Sequence, residues 1–458
     1  MKGLIVSASG VRGMIGSSLS PIEISRFATA FGTFIGSETV VVGRDTRASG
    51  EMVKGSLVSG LVATGCCIID VGVCPTPTIL LMSKKMGAEG TVVITASHNP
   101  VDWNGLKLAG KSGRLLSADG QGRFQQIYQS EKVKLVSWDQ LGGVETVDGA
   151  IDYHIAQILD LDWLNLAQIQ QRSLKVVIDA CNGAGSIISP MLLRRLGCEV
   201  IEVNCTPNGI FPRSSEPTPG ALKELCQVVK SEGAHLGLAH DGDADRLVLV
   251  SDQGVPLSSE YTYALIADFL VGQRTGDLVA TVSTSRMLND IADNHSVKLH
   301  RTPVGVGHVI EKMGEIGAAL GGEGTGGVIF PEILHTADGI TSIAAILQLL
   351  VSSHGSITDL VSLMPRYWMN KRKIGVPSQD VADAILEMAL TVFADDDLDI
   401  TDGVKRVWGD KWVNIRKSGT EPAIRVFSEA RSIQEAEELC QSTVDALEFL
   451  KKRVTSCD

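Results

Sequence analysis

The sequence predicts a multidomain α/β protein with mixed, largely parallel sheets, and three observations carry that prediction. First, 458 residues exceed one ordinary domain, so three or four are expected. Second, short apolar runs recur, each followed by a turn-rich loop and then a helical stretch: Val40 to Val42 before Gly43-Arg44-Asp45-Thr46-Arg47, Thr91 to Ile94 before Thr95-Ala96-Ser97-His98-Asn99-Pro100, Lys175 to Ile178 before Asp179 to Gly185, and Leu236 to Ala239 before Asp241-Gly242-Asp243-Ala244-Asp245-Arg246. Buried strands feeding loops and helices place those loops at the carboxyl ends of the sheets. Third, 44% apolar residues, 48 glycines and 21% charged residues suit a compact, turn-rich enzyme rather than a disordered chain.

The polar stretch Gly142 to Gly149 is expected to end a first domain spanning 1–150, and Asp252-Gln253-Gly254 to close a second spanning 151–253. Pro365 to Lys373 is expected to separate a third, 254–366, from a last one, 367–458. The last has a different texture. Strands between Val404 and Ile415 and at Ile424 to Phe427 precede a long helix from Ser432 to Lys451. The apolar stretch Ile343 to Val351 is too short to span a bilayer and reads as a core helix.

A formal charge of −12 argues against a basic nucleic-acid-binding surface. Nine cysteines, an odd number without metal-type spacing, read as reduced thiols of a cytoplasmic protein. The first residues, Met1 to Val6, hold too short an apolar run for a signal peptide.

Ser97 lies in a turn directly after a buried strand, a position open to nucleophilic use but also to ordinary turn bonding. Adjacent His98 is not expected to form a dyad with it, because successive side chains point apart. Asp241, Asp243 and Asp245 share a face if their loop is extended. Three hard oxygen ligands suit Mg²⁺. An EF-hand fails, since Arg246 and Asp252 stand where glycine and glutamate are needed. Arg416-Lys417-Ser418-Gly419-Thr420-Glu421-Pro422-Ala423-Ile424-Arg425 offers two guanidinium forks, two hydroxyls and a flexible glycine as a phosphate cradle, or else an exposed polar hairpin. Gly183-Ala184-Gly185, with Glu202 some twenty residues on, mimics a dinucleotide fingerprint but has Ile188 in place of the third glycine.

These segments together resemble the α-D-phosphohexomutase family, in the family's order: serine loop, metal loop, sugar loop, phosphate clamp. The serine match runs from Thr95 to Pro100 and on through Asn104-Gly105-Leu106-Lys107; the opening Ser7-Ala8-Ser9-Gly10-Val11-Arg12-Gly13 and Gly43 to Arg47 match as well. The resemblance implies a four-domain α/β fold, three similar mixed α/β domains and a smaller α+β C-terminal domain around a central cleft. It implies phosphoserine at Ser97, with His98 as a proton or phosphate partner and Lys107 as a candidate acid/base group. Ser97, Asp241, Asp243 and Asp245 would bind Mg²⁺, Arg246 would face phosphate, and Ser9 and Arg12 would lie at the cleft. Glu323 and Thr325, in Gly321-Gly322-Glu323-Gly324-Thr325-Gly326-Gly327, would bind the sugar; Arg416, Ser418, Gly419, Thr420 and Arg425 would bind phosphate.

The departures bear on substrate. Gly327 and Ala337 stand where the family commonly has histidine and arginine, and Lys417 where proline is usual; His308 is a candidate replacement for the missing histidine. The glycine-rich run is similar to that of mostly archaeal phosphoglucosamine mutases. The implied reaction interconverts hexose 6-phosphate and 1-phosphate through a bisphosphorylated sugar, with sugar 1,6-bisphosphate as activator, and with glucosamine phosphate preferred over mannose or glucose phosphate. A non-catalytic sugar-phosphate sensor is the alternative of another class. The expected protein is a monomer or homodimer with no nucleic-acid or membrane partner.

Overall fold

A computed structural model describes residues 3–7, 10–116, 118–274, 276–353, 355–392, 398–418 and 422–455. Ser9, Gly419 and Thr420 lie outside the described residues. Four sheets follow one another along the chain.

The first three sheets share one plan. In each, a central strand has parallel neighbours on both sides, and one of those neighbours continues through a loop into an antiparallel strand. In the first sheet Val40–Arg44 lies between Ile68–Val73 and Gly90–Ile94, and Gly90–Ile94 returns as Trp103–Ala109. In the second, Lys175–Asp179 lies between Glu199–Val203 and Leu236–His240, which returns as Leu247–Val250. In the third, Leu278–Thr281 lies between Leu299–Thr302 and Leu320–Glu323, which returns as Gly327–Ile329. The serine, metal and sugar loops are therefore topologically equivalent: each joins the outer parallel strand to its antiparallel return. The first sheet is larger, with seven strands. One of these, Val144–Thr146, pairs with Ile68–Val73, so the polar stretch expected to end the domain still contributes an edge strand.

The fourth sheet is antiparallel, in the order Trp368–Gly375, Ala423–Ala430, Lys411–Lys417, Val404–Trp408, Leu398–Asp399. Helices Gln379–Val392 and Ile433–Thr455 pack on it.

Burial divides the molecule unevenly. One apolar cluster runs through the first three domains, from Val41 and Ile79 through Ile155, Ile178 and Leu247 to Tyr263 and Ile343. The fourth domain has its own cluster, centred on Ile374, Ile385, Val413, Ile424 and Leu447. Hydrogen bonds cross between the third and fourth domains: Ser283 Oγ donates to Asn414 Oδ1 at 3.0 Å, Lys405 Nζ to the Val282 carbonyl at 2.6 Å, Arg286 N to Glu429 Oε2 at 2.9 Å, and Ser285 Oγ to Glu429. Ile343 to Val351 lies in the buried helix Gly339–Ser353, and no single helix among the described residues is long and apolar enough to cross a membrane.

Three domains meet at a fully buried histidine. His154 Nδ1 contacts Thr78 Oγ1 at 2.8 Å and its Nε2 contacts Asp338 Oδ2 at 3.0 Å. Burial pushes the Asp338 carboxyl up, but His154 and the Thr341 hydroxyl and amide outweigh it and hold it below its ordinary range. A carboxyl depressed in the fold contributes stability that is present above its unfolded value, about 4, and is lost as pH falls through the folded one. Asp338→Ala is therefore expected to cost about 3–5 kcal/mol near neutral pH. Urea melts at pH 7 and pH 3.5 check this. The gap between variant and wild type should narrow at the lower pH, and a gap that widens there contradicts the assignment.

Candidate active site

Ser97 adopts φ 49°, the left-handed region that L-residues rarely occupy. Thr95 and Asp45 hold it there: Ser97 N donates to Thr95 Oγ1 at 2.8 Å, and Thr95 Oγ1 donates to Asp45 Oδ2 at 2.7 Å. Arg47, 1% exposed, completes the cradle. Its Nε donates to Asp45 Oδ2 at 3.1 Å, and its two terminal nitrogens donate to the carbonyls of Ser97, Asn99, Pro100 and Trp103 at 2.5–2.9 Å. The guanidinium plane also lies over the Phe211 ring, 4.9 Å from its centroid. The Gly43 to Arg47 run thus braces the serine loop.

The left-handed turn overturns one expectation. Ser97 Oγ comes within 3.3 Å of His98 Nδ1, although successive side chains ordinarily diverge. The same hydroxyl donates to Asp241 Oδ2 at 3.0 Å. The Arg246 charge, then burial and Arg12, push His98 down to about 2, so its imidazole is neutral at working pH.

The metal loop is also not extended. It curls, with Ala244 at φ 54°, and the curl gathers one carboxylate oxygen each of Asp241, Asp243 and Asp245 within 4.8 Å of one another. Gly242 permits the approach to the serine loop, because a Cβ there would meet the Ser97 carbonyl oxygen at 2.7 Å. Gly183 serves the same loop from behind: its Cβ would meet the Gly242 carbonyl at 2.5 Å, so the glycine pair that mimics a dinucleotide fingerprint is packing for the carboxylate loop.

Lys107 Nζ lies 2.7 Å from both Asp243 Oδ2 and Asp245 Oδ2. Burial opposes its charge, but the two carboxylates win and raise its pKa, which keeps the ammonium protonated. Burial, then Asp245 and Asp243, raise Asp241 well above the carboxylate range; Asp243 falls below it because Lys107 and Thr76 outweigh burial. Arg246 Nε stands 3.9 Å from both Asp241 and Asp245, and Arg12 donates to Asn99 Oδ1 at 2.9 Å. Asp243 Oδ1 and Asp245 Oδ1 are buried and make no hydrogen bond. Two orphaned carboxylate oxygens beside a third carboxylate are a donor set that fits a hard divalent cation.

The sugar loop is a tight hairpin in which Glu323 pairs with Gly327 across the turn Gly324-Thr325-Gly326. Glu323 Oε1 accepts from Gly305 N at 3.2 Å; burial raises its pKa against the pull of Arg246. A Cβ on Gly327 would meet Ala337 Cβ at 3.1 Å. The two departures from the family pattern are thus neighbours, and a histidine at 327 would need Ala337 to give way. His308 is not among the aspartates. It is exposed on the first turn of helix Val306–Ile316 and lines a cavity of about 840 Å³ with Arg114, Gly305 and His335.

In the fourth domain Arg416 and Arg425 are cross-strand partners, and Ser418 N donates to the Ala423 carbonyl at 2.8 Å. Lys417 turns outward to Asp383, 2.5 Å away. Sequence reasoning missed Thr76, whose hydroxyl donates to Asp243 Oδ2 at 2.5 Å, and Arg213, which bonds Asp179 and the His240 carbonyl at the root of the metal loop. Their only signals were the turn-forming runs Cys74-Pro75-Thr76-Pro77 and Asn208 to Arg213.

A serine hydroxyl bonded to one of three clustered carboxylates that could hold a cation, with guanidinium groups close by, is the arrangement that an enzyme of metal-assisted phosphoryl transfer requires. The four domains match, in order, Phosphoglucomutase/phosphomannomutase, alpha/beta/alpha domains I, II and III over 3–134, 152–254 and 258–367, and the C-terminal domain over 369–446. The chain belongs to this family of phosphohexomutases. It is 39% identical over 453 residues to a phosphoglucomutase/phosphomannomutase of Thermococcus kodakarensis, covering 97% of this chain and 99% of that one. It is 37% identical over 441 residues to a probable phosphoglucosamine mutase of Pyrococcus furiosus, covering 95% and 96%. Among solved structures, a phosphoglucomutase/phosphomannomutase family protein of Burkholderia thailandensis superposes with a TM-score of 0.85 at 26% identity, covering 98% of this chain and 97% of that one. The N-acetylphosphoglucosamine mutase of Aspergillus fumigatus in complex with GlcNAc-6P and magnesium shares the fold, with a TM-score of 0.60 at 15% identity over 98% and 96%.

Proposed function

We propose that this phosphohexomutase acts on glucosamine phosphate, with Ser97 as its phosphorylated nucleophile. The observation that carries the serine assignment is its strained turn, which aims Oγ at Asp241 between the metal loop and His98. Phosphoserine gives its phosphoryl group to the free hydroxyl of a hexose monophosphate: the P–Oγ bond breaks, a P–O bond to the sugar forms, and the hydroxyl proton passes to a base in the cleft. The bisphosphorylated sugar turns around and the serine takes back the other phosphoryl group. A released sugar 1,6-bisphosphate would serve as activator by the same reversal.

Asp241, Asp243 and Asp245 would hold Mg²⁺, with a Ser97 phosphate oxygen beside them. When bound, that ion supplies positive charge that offsets charge on the transferring group. Arg12 and Arg246 add fixed cations on the same side, where the family pattern also puts Ser9 at the cleft, and Arg416, Arg425 and Ser418, with Gly419 and Thr420 carried from the family pattern, would hold the phosphate that stays on the sugar. Thr325 joins Glu323 at the ring hydroxyls, and His308 at the cavity edge would meet the sugar on closure. Lys107 is the acid/base candidate, and it enters each cycle protonated, as a proton donor.

The sugar choice follows from charge. Gly327, opposite Glu323, and Ala337 beside it bring no charged or hydrogen-bonding side chain to that corner of the site. That leaves a buried carboxylate facing the ring with less opposition, which favours an ammonium at C2 over a neutral hydroxyl. The Pyrococcus-type relatives support this sugar, and the Thermococcus relative supports mannose and glucose phosphates as the second reading. A monomer or homodimer in the cytoplasm, without nucleic-acid or membrane partners, fits a small-molecule enzyme.

The test is a mutase assay on glucosamine, glucose and mannose 1-phosphates with a trace of sugar bisphosphate, with Mg²⁺ or with EDTA. Turnover should be fastest on glucosamine 1-phosphate, be lost by at least about 100-fold in EDTA and return with Mg²⁺. Faster turnover on glucose or mannose phosphate overturns the sugar assignment, and full activity in EDTA overturns the metal assignment.

A further inference from the structure

Asp402 sits where the phosphate-binding strands of the fourth domain meet a loop of the third. Its turn is fixed by Gly403, at φ +75°, where a Cβ would come within 2.1 Å of the Ile415 carbonyl oxygen. The Asp402 carbonyl accepts from Asn414 Nδ2 at 3.0 Å, and Asn414 is two residues from Arg416 on the same strand face. On the other side, Asp402 Oδ2 accepts from Val304 N at 3.0 Å. The very next amide, Gly305 N, donates to Glu323 Oε1. Gly305 has φ +130°, a conformation other residues rarely adopt, so the direction of these two amides is set by the backbone. Asp402 is also the carboxylate acting most strongly on the Arg416 guanidinium, whose Nε is buried without a hydrogen bond.

We propose that Asp402 is a positioning residue: it ties the strand that carries Arg416 to the Val304–Gly305 backbone and so sets the Glu323 carboxylate against the sugar ring. The inference rests on the phosphohexomutase reading of the site. A phosphate gripped at Arg416 and Arg425 fixes the fourth-domain strands, and Asp402 passes that placement through two consecutive amides to Glu323. By linkage, a sugar held by Glu323 strengthens the grip on its own distal phosphate to the same degree. Asp402 touches neither the phosphate nor the sugar. Its effect is to make one end of the substrate report on the other.

The experiment uses the full chain as wild type, Asp402→Ala, Asp402→Asn, Glu323→Gln and the Asp402→Ala/Glu323→Gln double variant. It measures mutase KM and kcat on glucosamine and glucose phosphates, and inhibition by inorganic phosphate, which has no ring to orient. Loss of a charged hydrogen bond is expected to raise KM about 10-fold or more in Asp402→Ala. The ratio of kcat/KM between the two sugars should contract, and phosphate inhibition should change less than about threefold, since that small an effect is under 0.7 kcal/mol. Asp402→Asn should recover most of the KM, because its amide oxygen still accepts from Val304 N. The double variant should be no worse than the poorer single variant, as two links of one chain require. An unchanged KM and sugar ratio in Asp402→Ala overturns the proposal. So does an asparagine variant as impaired as alanine, or additive losses in the double variant. A wild type inactive on every hexose phosphate instead overturns the reaction on which the proposal rests.

Discussion

Ser97→Ala is expected to lower mutase turnover by at least about 10⁴-fold, the scale on which loss of a covalent nucleophile is felt. Among the described residues the serine hydroxyl hydrogen-bonds to Asp241 and His98, and the backbone of the turn is held by Thr95, Asp45 and Arg47 through atoms the substitution leaves in place. The variant should therefore still fold and lose only about 1–3 kcal/mol, the cost of leaving the buried Asp241 oxygen without its donor. Mass spectrometry after exposure to sugar bisphosphate separates nucleophile from bystander. Wild type should gain one phosphoryl group and the variant none. A variant that keeps a tenth of wild-type turnover removes Ser97 from the mechanism.

Arg47→Lys carries the second large effect. The guanidinium satisfies four backbone carbonyls and one carboxylate from a single rigid plane, whereas an ammonium has three donors and no plane. At least two buried acceptors lose their partner, each at about 1–3 kcal/mol, so the expected loss of stability is about 2–6 kcal/mol. The same four carbonyls shape the loop that bears Ser97, so kcat should fall by about 100-fold as the hydroxyl leaves its alignment. Urea unfolding and steady-state kinetics on one preparation measure both. A lysine variant as stable and as active as wild type refutes the account of this cradle.

Much of the site is written in local runs of sequence. The serine and carboxylate loops, the glycine-rich hairpin and the arginine pair each occupy a few consecutive residues after a strand, and topology only had to bring their equivalent loops together. What escaped depends on geometry that no residue type declares. Ser97 reaches His98 because of a positive φ. Asp241, Asp243 and Asp245 converge by curling rather than by extension. Arg47 reads as one of many loop arginines until its five acceptors are placed, and Thr76 joins Asp243 from a distant turn. The adjacency of Gly327 and Ala337 is likewise a fact of the third sheet. His308, in a run its sequence also singles out, is set by the fold at a cavity edge, apart from the carboxylates.

The unequal distribution of apolar contact has a thermal consequence. One apolar cluster runs through the first three domains, each of which also has a cluster of its own, and hydrogen bonds and ion pairs cross to the fourth. Apolar burial carries a large heat capacity and weakens on cooling, while exchange of polar contacts for water carries little. Movement of the fourth domain across its seam exchanges mostly polar surface, so the balance between its arrangements should vary only gently with temperature, even as the stability of the fused three-domain body follows the usual steep curve. The fourth domain is thereby insulated from the climate in which the rest of the chain must stay folded.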